Sequence, residues 1–125
     1  MIAYGTREFY PVAEQKAKDY FDEIREYVFE DEEALCCFAH DEAVALFTNR
    51  RLIFLNNAFM ENHKKFSKEI TFLKYKAIKY HTAVWSEELP GGKLVLGIPE
   101  EYSLSFFMPN KKDIRLLARL VSKFI

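Results

Sequence analysis

The sequence predicts a mainly β domain of seven short antiparallel strands, led by one amphipathic helix and closed by another. Three observations carry this reading. Apolar residues recur every three to four positions over residues 11–33, the period drops to two from Ala34 onward, and helical spacing returns after Asn110. Turn residues punctuate the middle segment at short intervals, as in all-β chains. The last fifteen residues hold an apolar stripe broad enough to demand burial.

The first helix is read from Ala13, Ala17, Phe21, Ile24 and Val28, with Tyr20 and Tyr27 alongside. Pro11 fits the first helical turn, where its missing N–H is harmless, and Glu30 to Glu33 form a solvated exit. The strands follow at Leu35–Ala39, Ala43–Thr48, Arg51–Asn56, Ser67–Leu73, Ala77–Ser86, Lys93–Ile98 and Ser103–Met108. His40-Asp41-Glu42 forms the first turn and Asn49-Arg50 a two-residue hairpin, asparagine tolerating the left-handed backbone there. Pro90-Gly91-Gly92 marks a further reversal, and Pro99-Glu100-Glu101 ends the sixth strand because proline donates nothing to a ladder.

Alternation names the expected core faces: Leu94, Leu96 and Ile98; Leu104, Phe106 and Met108; Leu52, Phe54 and Asn56; and the row Ile78, Tyr80, Thr82 and Val84. The closing helix opens at Lys111 with Asn110 as its cap and Asp113 three residues on. Its stripe is Ile114, Leu117, Ala118, Val121 and Ile125, widened by Leu116, Leu120 and Phe124. Burying five or six large side chains is worth about 1.5–3 kcal/mol each, so deleting this helix is expected to unfold the chain.

Composition bounds the rest. The chain has 125 residues, 50% of them hydrophobic, with 18 basic and 19 acidic side chains and a net charge of −1. That is long enough for one compact unit with a real core and no metal or disulfide staples, residues 1–33 reading as a helical extension, to pack on the domain or to supply an interface, and residues 34–125 as the domain itself. The near-neutral balance removes the bulk electrostatic argument for nucleic acid. Charge is unevenly spread, however: residues 11–33 hold nine acids against three bases, and residues 50–80 hold eight bases against two acids. Opposite fields of this kind favour docking within one molecule or head-to-tail contact between molecules. The N-terminal MIAYGTREFY lacks the form of a signal peptide and no run reaches the length of a membrane span, so the chain reads as cytoplasmic.

Chemistry-bearing residues are sparse. His40, His63 and His81 are scattered, without a metal-binding spacing, and no serine or cysteine is paired with them. The chain is expected to be no enzyme and to hold no cofactor or metal. Cys36 and Cys37 are neighbours, so on a strand one points into the core and one away. Trp85 shares a face with Lys79, His81 and Ala83, opposite the expected core row. It is expected to lie under the first helix against Phe21 and Ile24, or to anchor a protein interface with them, where tryptophan is enriched. The stretch Asn62 to Lys68, with Phe59 and Met60 before it, is the candidate membrane contact: Lys64, Lys65 and Lys68 would each add on the order of 1 kcal/mol at an anionic surface.

The stretches AVALFTNRRLIFLN, KEITFLKYKAIKYHTAV and LSFFMPNKKDIRLLARLVSKFI resemble the bacterial pleckstrin-homology-like (PH-like) domains, in particular the YokE-like group, with its T-N-[KR]-R-L-I turn between the second and third strands. The related GRAM domains use a similar turn. The resemblance spans about Glu33 to Ile125. It implies two near-orthogonal sheets with the last helix closing an open corner, and a domain that self-associates. Phosphoinositide-binding relatives carry basic residues in the first inter-strand loop, where this chain has His40-Asp41-Glu42, whose carboxylates would repel phosphate. The expected role is therefore a non-catalytic PH-like domain acting through protein contact, with itself or another protein. An open strand edge is one docking route, and peripheral attachment to anionic lipid is the alternative.

Overall fold

A computed structural model describes residues 6–60, 67–98 and 102–124. The elements run β1 (Thr6–Pro11), α1 (Glu14–Glu23), β2 (Ala34–His40), β3 (Ala43–Thr48), β4 (Arg51–Asn56), β5 (Ile70–Lys74), β6 (Tyr80–Trp85), β7 (Gly92–Ile98), β8 (Tyr102–Met108) and α2 (Lys111–Ser122). They group into two compact units, Pro11–Leu73 and, from both ends of the chain, the residues up to Tyr10 with Lys74–Ile125.

In the Pro11–Leu73 unit the strand order is β5-β4-β3-β2. The turns fall where turn residues stand: Asp41 and Glu42 join β2 to β3, and Asn49 and Arg50 join β3 to β4, both in antiparallel register. Helix α1 packs on β2. Its Tyr20 and Phe21, with Ile24 just past its end, enter a core with Cys37, Val44, Leu46, Ile53, Leu55 and Phe59. Cys37 points inward and Cys36 is half-buried, as strand alternation requires. Burial pushes the Cys37 thiol up to about 12, so at neutral pH it stays protonated and behaves as a small hydrophobe. On β4, Leu52, Ile53 and Leu55 are all fully buried while Phe54 and Asn56 are half-exposed. The expected Leu52, Phe54, Asn56 face is therefore corrected: a strand covered on both sides loses its simple alternation.

In the other unit the order is β1-β8-β7-β6, with β7 antiparallel to both neighbours. Strand β1 was not expected. It pairs in parallel with β8, Phe9 beside Phe106, and those rings stack at 4.9 Å. Its partner lies at the far end of the sequence, so no local pattern betrays it. Pro11 consequently closes a strand and does not open a helix, α1 starting at Glu14 after an Ala13 N-cap that makes no side-chain bond. The faces Leu94/Leu96 and Leu104/Phe106/Met108 are buried as expected, Ile98 only in part. Helix α2 packs on β6, β7 and β8 through Ile114, Leu117 and Val121. Asn110 caps it, its Oδ1 accepting the Asp113 N–H at 2.8 Å. Leu116, expected to widen the stripe, is instead exposed. Ile125 and the Pro99-Glu100-Glu101 turn lie outside the described residues.

Candidate functional site

Two surface regions stand out, the β3–β4 hairpin and the β6 strand. At the hairpin every member of the Thr48-Asn49-Arg50-Arg51 turn is engaged by the segment 27–33. Asn49 Oδ1 accepts the Glu33 N–H at 2.8 Å and its Nδ2 donates to the Asp31 carbonyl at 3.0 Å. Arg50 forks onto Asp31 at 3.0 and 2.6 Å. Arg51 forks onto Glu32 at 3.0 Å through both contacts and donates to the Tyr27 carbonyl. Thr48 Oγ1 donates to Glu32 Oε2 at 2.6 Å and accepts the N–H groups of Arg50 and Arg51.

Aromatic rings cover the same cations. The Arg51 guanidinium lies 4.7 Å from the Phe29 ring centre and 4.3 Å from that of Phe72, and Arg50 also lies over Phe29. Glu32 is buried. Burial alone would raise its carboxyl pKa, but the hydrogen bonds from Arg51, Thr48 and the Phe29 N–H outweigh it and hold the group below its ordinary value. The expectation of a solvated Glu30–Glu33 exit fails at this residue, because a partner nineteen positions away cannot be seen in the local acidic run. Part of the opposed charge of the two segments is paired here, through Arg50 with Asp31 and Arg51 with Glu32. Lys68 joins the pattern, ion-paired with Glu23 and lying 5.0 Å from the Phe59 ring centre.

The candidate lipid contact is thereby rearranged. Phe59 is buried and Met60 packs against the core, so neither is an apolar tip, and Lys68 has an acidic partner. Lys64 and Lys65 lie outside the described residues. The His40-Asp41-Glu42 turn closes on itself, the Glu42 N–H donating to His40 Nδ1 at 2.9 Å.

Strand β6 is built differently. Among the described residues it pairs only with β7, from Tyr80 opposite Gly97 to Trp85 opposite Gly92, in unbroken register. Glycine is needed at the Gly92 end of this ladder, where an added Cβ would meet backbone; at Gly97 it would meet only the exposed Tyr80 side chain. A Cβ on Gly92 would stand 2.2 Å from the Val84 carbonyl oxygen, and one on Gly97 would meet the Tyr80 ring at 2.0 Å. The helix-covered face is set by β7: Leu94 and Leu96 are buried, and their cross-strand partners are Ala83 and His81. His81 Nε2 lies 2.8 Å from Ser122 Oγ, which also lies 2.8 Å from the Ala118 carbonyl oxygen.

The expected core row Tyr80, Thr82, Val84 is therefore corrected. All three are exposed, while His81 and Ala83 are half-buried. Side-chain type favoured the wrong face because histidine and alanine read as less apolar than tyrosine and valine. Trp85 is 56% exposed. It is not covered by packing, and its expected companions Phe21 and Ile24 are buried in the core of the other unit. Beside the start of β6, Tyr75, Ile78, Lys79, Tyr80 and Val121 are among the residues lining an open groove of about 400 Å³.

Among the described residues, no three histidine, cysteine or acidic side chains gather as a metal site, and no helix is long and apolar enough to cross a membrane. The sequence signal for the β6 edge is its composition: Tyr-His-Thr-Ala-Val-Trp contains no Lys, Arg, Asp, Glu or Pro.

A strand-dominated chain with this element order and a C-terminal helix has a PH-like fold, as the sequence predicted, with eight described strands in place of seven and one parallel pairing. Among solved structures, the chain is similar to a DUF1696 family protein with a pleckstrin-homology domain from Shewanella loihica PV-4, at 17% identity and a TM-score of 0.59, over 94% of this chain and 97% of that one. It is also similar to a pleckstrin homology domain from Shewanella amazonensis SB2B (16% identity, TM-score 0.49, 90% of each chain). A third is a PH domain-containing protein from Exiguobacterium sibiricum 255-15 (16% identity, TM-score 0.48, 91% of this chain and 58% of that one). No family model matches the chain, and no curated protein does.

Proposed function

We propose that this chain is a non-catalytic PH-like interaction domain that works through protein contact, associating with itself at the open edge of β6. One observation carries the reading. Natural sheets protect exposed edges with lysine, proline, bulges or inward charges, and β6 has none of these between Tyr80 and Trp85, where its register is regular, exposed Lys79 standing just before it. The terminal strand of the other unit, β5, is shorter and carries Lys74. Main-chain N–H and C=O groups along an unguarded edge can accept an added strand, and exposed Tyr80, Val84 and Trp85 supply the apolar contacts that such pairing rewards.

Static light scattering over a wide concentration range tests this. The mass is expected to rise above the 14.8 kDa of one chain as concentration increases, and Trp85→Ala is expected to move that rise to higher concentration. A chain that stays monomeric throughout and captures no protein overturns the reading. If that monomer also sediments with anionic vesicles at low salt and is released at high salt, lipid attachment takes its place.

A further inference from the structure

We infer that the groove beside the start of β6 is a binding site for a small amphiphilic carboxylate, one singly charged head on an apolar chain. The site lies wholly within the unit that ends in α2, and it goes beyond the contact proposed for the β6 edge. Its volume of about 400 Å³ falls in the range of small-molecule pockets.

The floor is apolar and fixed. The chain leaves β5 through a single turn at Tyr75–Ala77, closed by the Ile78 N–H on the Tyr75 carbonyl at 3.0 Å. That turn buries Tyr75, whose ring centre lies 5.3 Å from that of Phe124 beyond the end of α2, and it leaves Ile78 half-buried. Val121 of α2 and the exposed Tyr80 complete the apolar lining. His81 stands at the wall, its Nε2 2.8 Å from Ser122 Oγ, a contact that ties β6 to the helix. Such a surface rewards a hydrocarbon chain by an amount that grows with each methylene it covers.

The rim is basic. Lys76 and Lys79 line the groove, both are exposed, and no acidic side chain lines it among the described residues. Arg50, Arg51 and Lys68 each face a carboxylate, whereas neither Lys76 nor Lys79 is ion-paired among the described residues. These two lysines supply the counter-charge that a carboxylate needs. A phosphate suits the site less. No arginine fork and no helix N-terminus line the groove among the described residues, and α2 meets it with its C-terminal end, whose dipole disfavours a second negative charge.

Titration of the isotope-labelled full-length chain with sodium octanoate, kept below its micellar concentration and followed by amide chemical shifts, tests the site. Saturable shifts are expected at residues 75–81 and at Val121 and Ser122. A ligand series leaves the protein untouched. Hexanoate is expected to bind about tenfold more weakly for two lost methylenes, octanol about fivefold more weakly for want of the charge, and octyl phosphate no more tightly than octanoate. Lys76→Glu combined with Lys79→Glu is expected to weaken octanoate about tenfold, whereas Lys112→Glu, exposed at the opposite end of α2, leaves it unchanged.

Shifts that do not saturate, or that centre elsewhere on the chain, overturn the site. Equal binding of octanol and octanoate removes the role of the lysines, and equal binding of hexanoate and octanoate removes that of the floor; either result overturns the proposal. So does octyl phosphate that binds more tightly than octanoate, which would assign the groove to a doubly charged head.

Discussion

The β3–β4 hairpin and the β6 strand place backbone and apolar side chains at the surface in opposite ways. At the hairpin, cations, carboxylates and aromatic rings satisfy one another within the Pro11–Leu73 unit: Arg50 on Asp31, Arg51 on Glu32, and Phe29 and Phe72 against the guanidinium groups. At β6, nothing charged lies on the strand, its outer edge has no paired strand among the described residues, and Trp85 stands 56% exposed. The contrast teaches that the most conspicuous charges in a sequence can be the least available ones. Arg50, Arg51 and Lys68, which look primed for an external partner, are ion-paired with Asp31, Glu32 and Glu23, and the strand with no charge between Tyr80 and Trp85 is the one left open.

The comparison is broken most severely by Arg51→Ala. It strands the buried Glu32 carboxylate and removes the fork that ties residues 27–32 to the hairpin, so a loss of about 3–5 kcal/mol in urea unfolding is expected, with association at β6 unchanged once the chain is folded. Leu117→Ala, in the fully buried stripe of α2, is expected to cost about 2–5 kcal/mol through lost contact and a residual cavity.

Acid sharpens the same contrast. The folded Glu32 pKa lies below its unfolded value, so its contribution is complete above the ordinary glutamate range near 4.5 and is lost as pH falls through the lower folded value. Asp31, held down by its hydrogen bonds from Arg50, acts in the same direction. Unfolding curves at pH 7 and pH 3 should show the difference between the native chain and Glu32→Gln shrinking with acid. Removing the cap with Asn110→Ala is expected to cost about 1 kcal/mol. Smallest of all for stability is Trp85→Ala, within about 0.5 kcal/mol because the ring is surface-borne, although the same change should weaken association.

Much of this was legible in the sequence because it is local. The Asn49-Arg50 hairpin, the Asn110 cap, the Leu94/Leu96 and Leu104/Phe106/Met108 faces and the division of Cys36 from Cys37 all follow from residues within a few positions of one another. What escaped depends on distant partners. Strand β1 is specified by β8, about a hundred residues on. The burial of Glu32 is specified by Arg51, and the inward face of β6 by Leu94 and Leu96 of β7. Phe59 and Met60 beside a lysine run suggested a membrane tip, yet the core of α1, β2, β3 and β4 takes them up. Of the interface candidates, only Trp85 remains at the surface. The T-N-R-R turn that carried the family resemblance proves to be the staple between the hairpin and the segment before β2.

Amide hydrogen exchange, followed residue by residue at rising protein concentration, tests the central claim most directly. The account predicts that the outward-facing N–H groups of Tyr80 to Trp85 become protected as the chain associates, while the amides of β3 and β4 keep the same protection throughout. Exchange along β6 that is as fast at high concentration as at low would contradict it.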